Sequence, residues 1–154
     1  MTDISADLHF HLKNERDSLR AFISLLEQEQ QALLTQDSEL LILLAEEKNL
    51  ATQKLIELSN LRRASLSSTS SSSDTTSWIA KFAPHCCDLW AEIREQARLA
   101  HELNQTNGEV IQLKLRSNQK ALTALIGASE NAAGLYGKDG QPNLPSVGRT
   151  LGSG

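Results

Sequence analysis

Leucines recur at strict sevens, as Leu12, Leu19, Leu26 and Leu33. A repeat of seven is what an α-helix displays when one stripe of it is buried along another helix. Leu8, Phe22 and Ile23 fill neighbouring turn positions, with Glu15, Arg16, Glu27 and Glu29 among them. Residues 4 to 34 therefore read as one amphipathic helix, and the rest of the chain must supply its partners.

Composition supports helices throughout. In 154 residues, 40% are hydrophobic but only 4% aromatic, which suits one helical domain rich in Leu and Ala rather than a β-sandwich. The net charge of −4 lacks the basic footprint of a nucleic-acid binder, so no nucleic-acid partner is expected. No apolar run reaches about 18 residues, and Met1 to Arg16 shows no basic segment followed by an apolar one. Membrane insertion is not expected, and a cytoplasmic location is. Cys86 and Cys87 are adjacent, where a mutual disulfide would strain the backbone, which fits a reducing compartment.

Gln36, Asp37 and Ser38 are polar, and Asp37 or Ser38 can cap a second helix over about 38 to 64, antiparallel to the first. Leu40, Leu41, Leu43, Leu44, Leu50, Ala51, Leu55, Leu58 and Leu61 give it a broad apolar face, which predicts contact with more than one element. Arg62 and Arg63 then fall in its last turn, where cations complement the helix dipole. The hairpin spans 1–64. Residues 65–77 are dominated by serine and read as a flexible linker.

Trp78, Ile79 and Phe82 form a short helical turn capped by Thr76 or Ser77, and Pro84 suits the first position of a new helix. That third helix is expected to run to about 129, or roughly 65 to 70 Å. Its seam passes through Trp90, Ile93, Ala97, Ala100, Asn104, Asn107, Ile111, Lys114, Asn118, Ala121 and Leu125, with apolar content thinning after Ala100. Residues 78–129 make the C-terminal helix and its leading turn. The remaining 130–154 hold most of the glycines with Pro142 and Pro145, and form a flexible tail carrying the single tyrosine, Tyr136. The predicted fold is all-α: an antiparallel helical hairpin plus a very long third helix in a coiled-coil-like three-helix bundle.

Chemistry is sparse. His85, Cys86 and Cys87 splay by about 100° per residue on a helix and lack a second cysteine pair, so one Cys in the core and its neighbour partly exposed is the favoured reading over a metal site. His9 and His11 face different directions, and Glu46, Glu47, Glu92 and Glu95 read as solvated faces. Phosphate loops, nucleophile elbows and HExxH motifs are absent from the sequence. An enzyme is not expected, nor any cofactor or metal. Trp78 and Trp90 are expected to close the core where the linker meets the third helix.

One segment stands out. Leu103, Asn104, Gln105, Thr106, Asn107 and Gly108 place two asparagines and a glycine inside a helix, where glycine costs about 1 kcal/mol relative to alanine. Two readings are balanced for Asn104 and Asn107: a register device within the bundle, or direct recognition of a partner. Gly108 would let another helix approach closely in either case.

With Asn118, Gln119, Lys120, Ala121 and Leu122, and then Leu135, Tyr136, Gly137, Lys138, Asp139, Gly140 and Gln141, this segment resembles the FlgN family of flagellar type III export chaperones, whose patterns are LNQxNG, NQxAL and LYGxDGQ. Residues 27 to 33 and Glu46, Glu47 and Lys48 support the likeness, which covers nearly the whole chain except the serine linker. The resemblance implies a non-enzymatic cytoplasmic chaperone that captures the C-terminal amphipathic helices of the hook-filament junction proteins FlgK and FlgL and delivers them for export. The uncovered stripe of the third helix is where such a client is expected to lie, with contacts at Asn104, Asn107, Ile111, Leu115, Asn118, Leu122, Leu125 and Ile126. The resemblance also implies that Tyr136 docks to the export gate protein FlhA. The free protein is expected to be a monomer or weakly self-associating. The competing reading is a constitutive coiled-coil scaffold in which the same stripe pairs with itself.

Overall fold

The computed structural model describes residues 4–67 and 74–135, with side chains over 6–66 and 74–131. Among them are four α-helices and one 3-10 turn: α1 (Ile4–Thr35), α2 (Ser38–Ser67), α3 (Thr75–Phe82), the turn Pro84–Cys86, and α4 (Cys87–Leu135). The all-α class is borne out. Two compact units divide the chain, Met1–Ile111 and Gln112–Gly154.

In the first unit the seven-residue repeat is the core. Leu8, Leu12, Leu19, Leu26 and Leu33 are all buried on α1. The same stripe, continued at alternating threes and fours, also takes in Glu15 and Glu29, which are buried as well. Each acid meets a cation from α2. Arg62 pairs with Glu15 at 2.6 Å and Lys48 with Glu29 at 3.1 Å. The two pairs lie two heptads apart on both helices, which fixes an antiparallel register.

The hairpin turn closes in two residues. Gln36 adopts a left-handed φ of 57°, and the Asp37 amide donates back to the Ala32 carbonyl at 3.0 Å, which satisfies the end of α1. The Asp37 carboxylate then accepts from the Leu40 amide at 3.0 Å, so Asp37, of the two residues expected to cap α2, is the one that does.

Helix α2 runs past residue 64 because Leu66 is buried in the core. Arg62 is therefore not in the last turn. It is held inside the bundle by Glu15, donates to Ser59 at 3.2 Å, and lies 4.7 Å from the Trp90 ring centre. The broad apolar face of α2 is only partly covered: Leu44 and Leu66 are buried, whereas Ile42, Leu43, Leu50, Ile56 and Leu61 are exposed.

Helix α3 places Trp78 and Ile79 in the core. Asp74, rather than Thr76 or Ser77, occupies its N-cap position, and Thr76 instead accepts from the Trp90 indole at 3.0 Å. Both tryptophans thus close the core as expected. Ala83 leaves the helical region, as the residue before a proline tends to, and Pro84 opens a 3-10 turn rather than the α-helix itself. From Cys87 the chain is helical through Gly108 to Leu135, six residues beyond the expected end. Within the first unit α4 runs in the same direction as α1. Cys86 sits near His9, Glu92 pairs with Arg16 and Arg20, and Asn107 reaches Leu26 and Glu29.

Candidate functional site

Helix α4 changes character at Asn107. Up to that point Ile93 and Ala100 are buried and Leu103 packs on the core. Asn107 is itself only 1% exposed, with its Nδ2 donating to the Leu26 carbonyl at 2.8 Å and to Glu29 Oε2 at 2.9 Å. Lys48 donates to both oxygens of that carboxylate, so one polar layer joins α1, α2 and α4. No residue from 108 to 131 is buried.

This layer bears on the two readings of the amides. Asn107 is buried and its Nδ2 donates twice within the bundle, as a register residue does, while its Oδ1 has no hydrogen-bond partner among the described residues. Asn104 is exposed and Ile111 half-buried. Among the described residues Gly108 serves no close approach: a Cβ added there would meet nothing within 4 Å.

In the second unit, Leu115, Asn118, Leu122, Leu125 and Ile126 share one helical face by their spacing. All five are exposed, the leucines and isoleucine by 52 to 68%. Leu113 is also exposed, on another side of the helix. Large apolar side chains thus line one helical face in contact with water. Tyr136 lies outside the described residues.

The other sequence candidates offer little chemistry. Cys86 is fully buried and Cys87 half-buried, and burial pushes the Cys86 thiol up, with the neighbouring Cys87 adding to the shift. Among the described residues no cluster of His, Cys, Asp and Glu could hold a metal ion. No described helix is long and apolar enough to cross a membrane. What sequence reasoning missed is the pair of buried acids, Glu15 and Glu29. Their place in the three-four stripe was the available signal.

The described residues define an all-α protein whose longest helix exposes large apolar side chains over its distal part. The chain is a member of the FlgN protein family, whose profile matches residues 1–143. That family is one of flagellar export chaperones. No curated protein and no solved structure matches the chain.

Proposed function

We propose that the chain is a cytoplasmic export chaperone for the hook-filament junction proteins FlgK and FlgL. It would shield their C-terminal amphipathic helices against premature assembly and deliver them to the flagellar type III export apparatus. The observation that carries this reading is the exposed face of Leu115, Asn118, Leu122, Leu125 and Ile126, in a chain whose family is chaperones. A client helix laid on that face would bury the apolar side chains that this helix leaves in water, each contributing about 1.5–3 kcal/mol when fully covered. Asn104 and Ile111, on the first unit, are further contacts in this proposal, and Tyr136 is the docking residue for FlhA.

Titration with a peptide from the FlgK C-terminus tests it. Leu122→Asp with Leu125→Asp should abolish binding while far-ultraviolet circular dichroism stays close to wild type. Wild-type affinity in that variant would place the client elsewhere. Tyr136→Ala should leave peptide affinity unchanged and reduce export. A permanent dimer that ignores the peptide would instead favour the scaffold reading.

A further inference from the structure

Helix α2 carries a second stripe beside the one that faces the bundle. On the inner stripe Leu44 and Arg62 are buried, Leu55 packs on the core and Lys48 holds Glu29 of α1. Set one residue earlier, about 100° around the helix, Leu43, Glu47, Leu50, Lys54, Glu57 and Leu61 follow the same alternation of threes and fours, and all six are exposed. Leu43, Leu50 and Leu61 leave half or more of their surface in water. Among the described residues, neither Lys54 nor Glu57 has an ion pair.

The order of the charges says which helix fits this stripe. Laid antiparallel on a copy of itself with Leu50 opposite Leu61, it brings Lys54 of each chain opposite Glu57 of the other, so that two leucine pairs enclose two ion pairs. A shift of one heptad sets Glu47 against Glu57 and Leu50 against Lys54. Parallel pairing in register sets Lys54 on Lys54 and Glu57 on Glu57. One direction and one register are therefore favoured over their neighbours, because like charges and a charge on a leucine disfavour the rest.

We propose that α2 pairs with α2 of a second copy of this chain, antiparallel and in this register. The stripe from Leu43 to Leu61 occupies about 27 Å of one helix, a smaller contact than the roughly 1,200 Å² of total surface behind most stable complexes, so the dimer is weak and reversible. It lies wholly within the first unit and does not rest on the client reading of the second.

Sedimentation of the full-length protein over a concentration series tests this. A reversible monomer–dimer equilibrium is expected, and Leu50→Asp with Leu61→Asp should abolish it at unchanged helicity. K54E alone and E57K alone should each weaken the dimer about tenfold, by turning two attractive pairs repulsive. The two single variants mixed together should associate again, as should the chain carrying both changes. Leu122→Asp with Leu125→Asp should dimerise as wild type does, which separates this contact from the client face. Protein that stays monomeric up to about 1 mM overturns the proposal, as does a dimer that survives Leu50→Asp with Leu61→Asp. Failure of the mixed single variants to associate overturns the register. A dimer lost only on Leu122→Asp with Leu125→Asp identifies self-pairing of α4 instead. A monomer whose affinity for the FlgK peptide falls on Leu50→Asp with Leu61→Asp assigns the stripe to the client and likewise overturns the proposal.

Discussion

The side-chain amide of Asn107 donates to the backbone carbonyl of Leu26 at 2.8 Å, across an interface between helices that are far apart in sequence. A second bond from the same nitrogen reaches Glu29, whose carboxylate is already held by Lys48. A buried amide bonded to a helix backbone fixes one sliding position of α4 along α1, since a shift of one turn would strand the amide and the carboxylate together.

Asn107→Ala should therefore destabilise the protein by about 1–3 kcal/mol, the cost of leaving buried polar groups without their partner. Urea unfolding followed by circular dichroism measures it. An unchanged midpoint would show that the layer contributes nothing to stability.

Glu15 and Arg62 form the other buried pair, with each side chain 9% exposed. Burial raises the Glu15 carboxyl above its ordinary 4.5 against the opposing pull of Arg62, and burial lowers Arg62 against the pull of Glu15. Glu15→Ala leaves a buried guanidinium without its counter-ion and should cost roughly 3–5 kcal/mol, whereas Glu15→Leu with Arg62→Met should recover most of that loss. The pH dependence has a definite sign. A carboxyl with a raised folded pKa contributes stability that is complete below its unfolded pKa and lost as pH rises through the folded one. Wild type should therefore gain on Glu15→Gln as pH falls from 7 towards 4.5, and a flat or opposite difference would contradict the raised value.

Gly108→Ala should stabilise the protein by about 0.5–1 kcal/mol, because the site is helical and a methyl group there meets no atom within 4 Å. Thermal unfolding reads the gain. A loss would mean that another element approaches Gly108 closely.

At the hairpin, Asp37→Ala should cost about 1 kcal/mol through loss of the bond to the Leu40 amide. Gln36→Gly should have the opposite sign, since φ of 57° is a conformation that glycine adopts without steric cost. Both changes are measured by denaturant midpoint, and equal signs would refute this account of the turn.

Two leucine truncations contrast core with surface. Leu26→Ala removes a fully buried side chain and should cost about 2–5 kcal/mol, whereas Leu122→Ala, at a site 58% exposed, should change stability by no more than about 0.5 kcal/mol. A large loss from the second would mean that Leu122 is covered in the folded protein.

The leucine repeat of α1 was legible because a stripe of sevens has only one way to be buried, and every leucine in it is. The two tryptophans and the unequal cysteines were legible for a similar reason: position beside a linker or a proline leaves few places for a large or apolar side chain. Helix α2 was harder to read. Its leucines and isoleucines are spread around the helix, and hydrophobicity alone does not distinguish buried Leu44 from exposed Leu43. The stripe of α4 was legible as spacing, and its openness from the unequal lengths of the helices, which leave the longest one without a partner along part of its length.

By itself the sequence determined the helices, their antiparallel turn and the family, because periodicity, capping and motif order are local properties of the chain. Tertiary structure alone decided which polar residues are inside. Glu15, Glu29, Arg62 and Asn107 have the composition of a surface. They are buried because three helices meet in one register, and in that register each finds a partner that could not be identified from its own neighbours in sequence.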